Sequence, residues 1–144
     1  MTVRHTTTLA AVTMTALALA ACSTAGASDE AAGQTTQRPG AVTIGATEAV
    51  ALLEDRDDVQ VIDVRTPQEF GQGHLDGAEL LDIYDPGFRD DVAGLDRDAT
   101  YLLYCRSGNR SGQAAALMQD LGFAEVYDAG GLATLAEAGA TVVR

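Results

Sequence analysis

From residue 41 onward, short apolar runs alternate with stretches in which apolar positions recur every three or four residues. That alternation predicts strands of a parallel sheet separated by helices, an α/β class. Residues 42–44 read as a short strand, and Thr47 is placed as the N-cap of a helix whose Ala46, Val50 and Leu53 share one face. Residues 59–64 are dominated by Val59, Val61, Ile62 and Val64, which predicts a strand buried on both faces and central in its sheet. Directly after it, Thr66, Pro67, Gln68 and Glu69 supply an N-cap, a proline at the first helical position and a glutamate placed to close a capping box. Further strands are expected at 78–81 and at 101–104, the latter running directly into Cys105, with a helical turn at 88–93 between them. From Ser111, a stripe of Ala114, Leu117, Met118 and Leu121 predicts a helix that Gly122 ends as a left-handed cap. Residues 124–127 form the last expected strand, Gly130 and Gly131 a turn, and 132–137 a closing helix.

The first forty residues follow different rules. Arg4 and His5 precede an uncharged run of small and apolar residues from 9 to 21, and Cys22 follows it. This is the layout of a secretory signal with a small-residue cleavage site, and the run is too short for an ordinary membrane span. Residues 22–40 carry hardly a large apolar side chain, so they cannot offset their own ordering entropy and are expected to act as a flexible linker. About 18 residues of such chain reach roughly 20 to 25 Å. The expected organisation is a signal peptide at 1–21, a linker at 22–40 and one domain at 41–144.

Charge and composition narrow the partners. The 144-residue chain carries a formal net charge of -12, and all nine of its basic residues are arginine. Such a surface repels nucleic-acid phosphates and anionic headgroups, so no nucleic-acid partner is expected. No metal site is expected, because His5 falls in the signal, His74 stands alone and Cys105 has no neighbouring ligand at zinc-site spacing. No organic cofactor is expected either, since the glycine-containing loop is not a nucleotide fingerprint.

The candidate chemistry lies at 104–111, where a thiol ends a strand and a helix begins a few residues later. In open α/β sheets ligands bind at that edge. Backbone N–H groups of the loop, the positive end of the following helix and the charge of Arg110 all favour thiolate over thiol. A free cysteine is often only a small buried hydrophobe, but the polar loop Arg106, Ser107, Gly108, Asn109, Arg110 argues for the nucleophile.

The run from Cys105 through Arg110 to Ser111 resembles the six-residue active loop of rhodanese domains. Joined to it in the family's order are residues 61–65, Glu69-Phe70, residues 73–78, Gly122-Phe123 and Gly130-Gly131. The resemblance spans about residues 41 to 143. It implies a central parallel five-stranded sheet with helices on both faces, and sulfur transfer in two steps. Cys105 would take a sulfane sulfur from thiosulfate or a similar small anion, becoming a persulfide, and pass it to a small thiol, cyanide or a partner-protein thiol. Arg106, Ser107, Gly108, Asn109 and Arg110 would bind the substrate. Asp63 and Arg65 would brace the loop, with a structural ion pair as the alternative. His74 sits in a family turn rather than in the reaction. Leu135 stands where the family often carries a tryptophan, which leaves the rim of the pocket open to difference.

Residues 19–22 resemble the lipobox of bacterial lipoproteins, which implies that Cys22 becomes a lipidated first residue. The domain would then be held at the outer face of the cytoplasmic membrane or at another extracytoplasmic membrane, with Cys105 its one free thiol. An ordinary cleaved signal is the alternative. Two other functions remain open beside sulfur transfer: a persulfide carrier or redox or binding module with little turnover, and a phosphatase or arsenate reductase. Four residues separate Cys105 from Arg110, one fewer than in tyrosine-phosphatase loops, and the smaller cradle favours sulfur.

Overall fold

The structure is a computed structural model that describes residues 40–144. The expectations for the signal, the linker and lipidation at Cys22 lie outside the described residues. Seven strands and five helices follow one another as β1 (Val42–Thr43), α1 (Ala46–Asp55), β2 (Val59–Asp63), α2 (Pro67–Phe70), β3 (His74–Leu75), β4 (Glu79–Leu80), α3 (Phe88–Ala93), β5 (Thr100–Cys105), α4 (Asn109–Asp120), β6 (Glu125–Gly131), α5 (Leu132–Glu137) and β7 (Val142–Val143).

Five strands form one parallel sheet in the order β1-β6-β5-β2-β4, and β3 pairs antiparallel with β7 beside it. The centre is β5, every residue of which is buried. The expectation that 59–64 is the central strand is therefore corrected: β2 lies one place off centre, and Gln60 faces solvent. A run of β-branched residues reports burial, but strand order is set by long-range pairing that such a run does not encode.

Alternation along β5 builds a core on each side. Tyr101, Leu103 and Cys105 pack with Ile62 and Val64 against Phe88 and Val92 of α3 and Ala114, Ala115 and Met118 of α4. Leu102 and Tyr104 pack on the other face with Ile44, Ala49, Leu75, Ala129 and Leu135. Helices thus cover both faces, as the resemblance implied. Leu135 is a core side chain of α5, and the wall of the site on that side is made by Leu132.

Two local expectations are corrected. Helix α1 is capped by the backbone of Gly45 and not by Thr47, which lies inside the first turn. Gly130 and Gly131 complete β6 rather than forming a free turn, and Gly131 pairs with Cys105 across a shift in register. The capping box of α2 forms as read, with Thr66 Oγ1 accepting from the Glu69 N–H while the Glu69 carboxylate accepts from the Thr66 N–H. Helix α4 ends as read too: Phe123 N–H returns to Met118 O and Gly122 N–H to Gln119 O.

Candidate active site

The loop joining β5 to α4 wraps its backbone around one sulfur. Cys105 is 0% exposed, at the end of the central strand. Gly108, at φ 94°, caps α4 in the left-handed region, a conformation that costs a residue with a Cβ and that glycine adopts freely. This bend turns the Gly108 N–H onto Cys105 Sγ at 3.0 Å. The Ser111 hydroxyl reaches the same sulfur at 3.6 Å and lies 3.1 Å from Gly108 O and 3.4 Å from Gly130 O. One hydroxyl hydrogen serves only one of these at a time, and a thiolate is the strongest acceptor among them.

Burial pushes the Cys105 thiol up. Hydrogen bonds from the backbone of Ser111 and Ser107, the Ser111 hydroxyl and the backbone of Gly108 outweigh it, and the thiol lies below its ordinary value. Stabilisation of the thiolate thus comes from dipoles of the loop and of the first turn of α4.

Gly131 closes the cradle from below. A Cβ there would lie 2.9 Å from Arg106 O and 3.3 Å from Ser107 Cα, so only a glycine lets β6 approach the loop this closely.

Above the loop are two clefts with Arg106 and Glu69 in both walls. One, of about 520 Å³, is polar and includes Thr66, Gln68, Tyr84, Ser107 and Arg110. The other, of about 420 Å³, adds Arg65, Gln72, Gly73, Leu132 and Val142. The Arg106 side chain is exposed and makes no ion pair among the described residues, so it presents an unpaired cation to both. Arg110 is differently placed. Its Nη1 and Nη2 each lie 2.7 Å from one carboxylate oxygen of Glu69, and its guanidinium sits 5.7 Å from the Tyr84 ring centroid. Asn109 begins α4 and holds Gln113 Nε2 at 2.7 Å through its side chain, away from the sulfur.

Asp63 and Arg65 form a buried pair with a 2.6 Å contact, and Arg65 also donates to Gly73 O. No hydrogen bond joins either to residues 106–111. Their connection runs through Tyr104, the neighbour of the nucleophile, whose hydroxyl donates to Asp63 Oδ2 at 2.6 Å and accepts from the Leu75 N–H. The network ties the end of β5 to β3. His74 stacks on Phe70 at 3.6 Å and holds Phe70 O through Nδ1 at 3.1 Å, a structural placement.

Sequence reasoning missed two participants. Ser111 enters the sequence reading as the end of the run that resembles the active loop and as the start of the helix, with no role for its hydroxyl, although a hydroxyl in the first turn after a strand-end thiol is a local signal. Glu69 enters it as a cap and as part of the Glu69-Phe70 match, and its pairing with Arg110, 41 residues away, has no local signal.

Comparison with known proteins agrees with this fold. Residues 45–136 match the family model for the rhodanese-like domain. The chain is 36% identical over 75 residues to the thiosulfate sulfurtransferase PspE of Escherichia coli strain K12, covering 52% of this chain and 72% of that one. It is 38% identical over 79 residues to the thiosulfate sulfurtransferase GlpE of Pseudomonas putida, covering 55% and 70%. The crystal structure of a rhodanese-related protein from Thermoplasma volcanium superposes with a TM-score of 0.61 at 30% identity, over 70% of this chain and 96% of that one. Matched to the family model over most of its described length, the chain belongs to the rhodanese-like family and is an enzyme of the rhodanese type, a sulfurtransferase.

Proposed function

We propose that the protein moves a sulfane sulfur from thiosulfate or a similar donor to a thiol or cyanide through a persulfide on Cys105. The observation that carries this reading is the convergence of the Gly108 N–H and the Ser111 hydroxyl on one buried sulfur whose thiol lies below its ordinary value. In the first step the Cys105 thiolate attacks the terminal sulfur of thiosulfate. A new S–S bond forms, the bond to the sulfonate sulfur breaks, and sulfite leaves with the electron pair. The negative charge then rests on the outer persulfide sulfur, which the loop amides stabilise. In the second step cyanide or a thiolate attacks that outer sulfur and the Cys105 thiolate departs, regenerating the enzyme.

Arg106 draws the donor in, being the cation of both clefts that has no ion pair among the described residues. Cys105 has no exposed surface at rest, so sulfur uptake requires the exposed loop residues, Arg106 and Ser107 first, to yield. Asp63 and Arg65 act from behind through Tyr104, fixing the strand end on which the nucleophile stands. The leader and Cys22 support placing this activity outside the cytoplasm, on a lipid anchor. No dithiol route within one mature chain is then available, and each cycle needs an external acceptor.

The test is thiosulfate-to-cyanide transfer by the full chain beside its Cys105→Ala variant. Thiocyanate formation by the parent and its loss in the variant is the expected result. Equal rates in both would remove Cys105 from the reaction.

A further inference from the structure

The loop that holds the nucleophile contains two arginines, and the structure spends them differently. Arg106 has no ion pair among the described residues, whereas both terminal nitrogens of Arg110 are engaged by the two carboxylate oxygens of Glu69 at 2.7 Å. Tyr84, 69% exposed, backs the same guanidinium. Glu69 is itself anchored, because Thr66 donates to its Oε2 from both its backbone N–H and its hydroxyl. The Arg110 guanidinium holds the Glu69 carboxyl down at about 2, so the carboxylate persists throughout the working range of pH. A fixed negative charge therefore lines both clefts, and the second arginine of the loop has its charge answered and its end-on donor pair taken.

We propose that Glu69 is a specificity-determining residue: by occupying Arg110 it keeps the cradle over Cys105 closed to oxyanions whose central atom would be attacked, and leaves it open to a bare sulfur. This rests on the sulfur-transfer reading given above and deepens it. The discrimination follows from what each ligand must place against the thiolate. A sulfane donor brings a terminal sulfur that carries no oxygens, and its oxyanion end stays outside, within reach of Arg106. A phosphate or arsenate must bring its central atom to the sulfur together with several charged oxygens. Those oxygens need an arginine whose charge is not already answered; at Arg110 Glu69 neutralises that charge and takes the end-on donor pair, and the oxygens meet its carboxylate in the wall.

The test is inorganic phosphate binding to the full chain by titration calorimetry, for the parent, Glu69→Gln and the double variant Glu69→Gln with Arg110→Gln. Glutamine is accepted at the third position of a capping box, so the start of α2 survives the first change, and thermal melting verifies that each variant is folded. Loss of the ion pair is expected to tighten phosphate binding roughly tenfold or more in Glu69→Gln, and the double variant is expected to lose that gain. Equal affinity in the parent and Glu69→Gln would overturn the proposal, as would a gain that survives in the double variant. Tight phosphate binding by the unaltered protein would overturn it without any variant. None of these measurements needs turnover. Failure of the sulfur-transfer reading itself appears separately, as absence of a persulfide on Cys105 after thiosulfate.

Discussion

At the residue scale, the reactivity of Cys105 is a contest between burial, which favours the thiol, and oriented dipoles, which favour the thiolate and prevail. The Ser111 hydroxyl is the one contributor that can be removed without touching the backbone. Ser111→Ala is expected to move the midpoint of iodoacetamide alkylation at Cys105 upward in pH. The sign follows because the thiolate is the reactive form: it prevails above the pKa of the folded protein and is lost as pH falls through it. Losing a donor raises that pKa, so less thiolate remains at neutral pH and the rate there falls several-fold. A midpoint unchanged by the substitution would assign the effect to the backbone amides alone.

At the scale of elements, the loop works because β6 and α4 pack against it at backbone distance. Gly131→Ala would place a Cβ 2.9 Å from Arg106 O, and neither backbone can yield without moving the cradle. We expect a loss of about 1 to 3 kcal/mol in thermal or denaturant unfolding, together with a sulfur-transfer rate reduced roughly tenfold or more. An unaltered rate would show that the loop tolerates displacement. This contact also marks where reading the chain alone stops. The double glycine was legible as a motif, but its role as the floor of the site was not, because the contact joins segments far apart in sequence. The same reason explains why the sequence points to β2 as the central strand and the structure to β5. Conversely, α3, α5, the capping box of Thr66 and Glu69 and the cap at Gly122 were legible, since each is set by neighbours within a turn or two. Strands β3 and β7 are absent from the sequence reading because they exist only as a pair, which links His74 and Leu75 to Val143 and Val142 across the domain.

At the scale of the whole molecule, an enzyme of net charge -12 receives an anionic donor through clefts in whose walls Arg106 is the one arginine without an ion pair among the described residues. Repulsion from the distant carboxylates acts over a longer range than the attraction of Arg106, and salt screens the longer range first. The kcat/KM for thiosulfate is therefore expected to rise about two- to fivefold between roughly 10 mM and 150 mM salt, measured in the thiosulfate-to-cyanide assay. A fall would mean that local attraction by Arg106 controls encounter instead. Beneath every one of these statements lies the assignment of Cys105 as the atom that carries sulfur. The most direct measurement is the intact mass of the full chain after thiosulfate alone, beside Cys105→Ala, with peptide mapping of the modified residue. Gain of one sulfur on Cys105, removed by cyanide and absent from the variant, is the predicted result. No gain, or the same gain in the variant, would contradict the account.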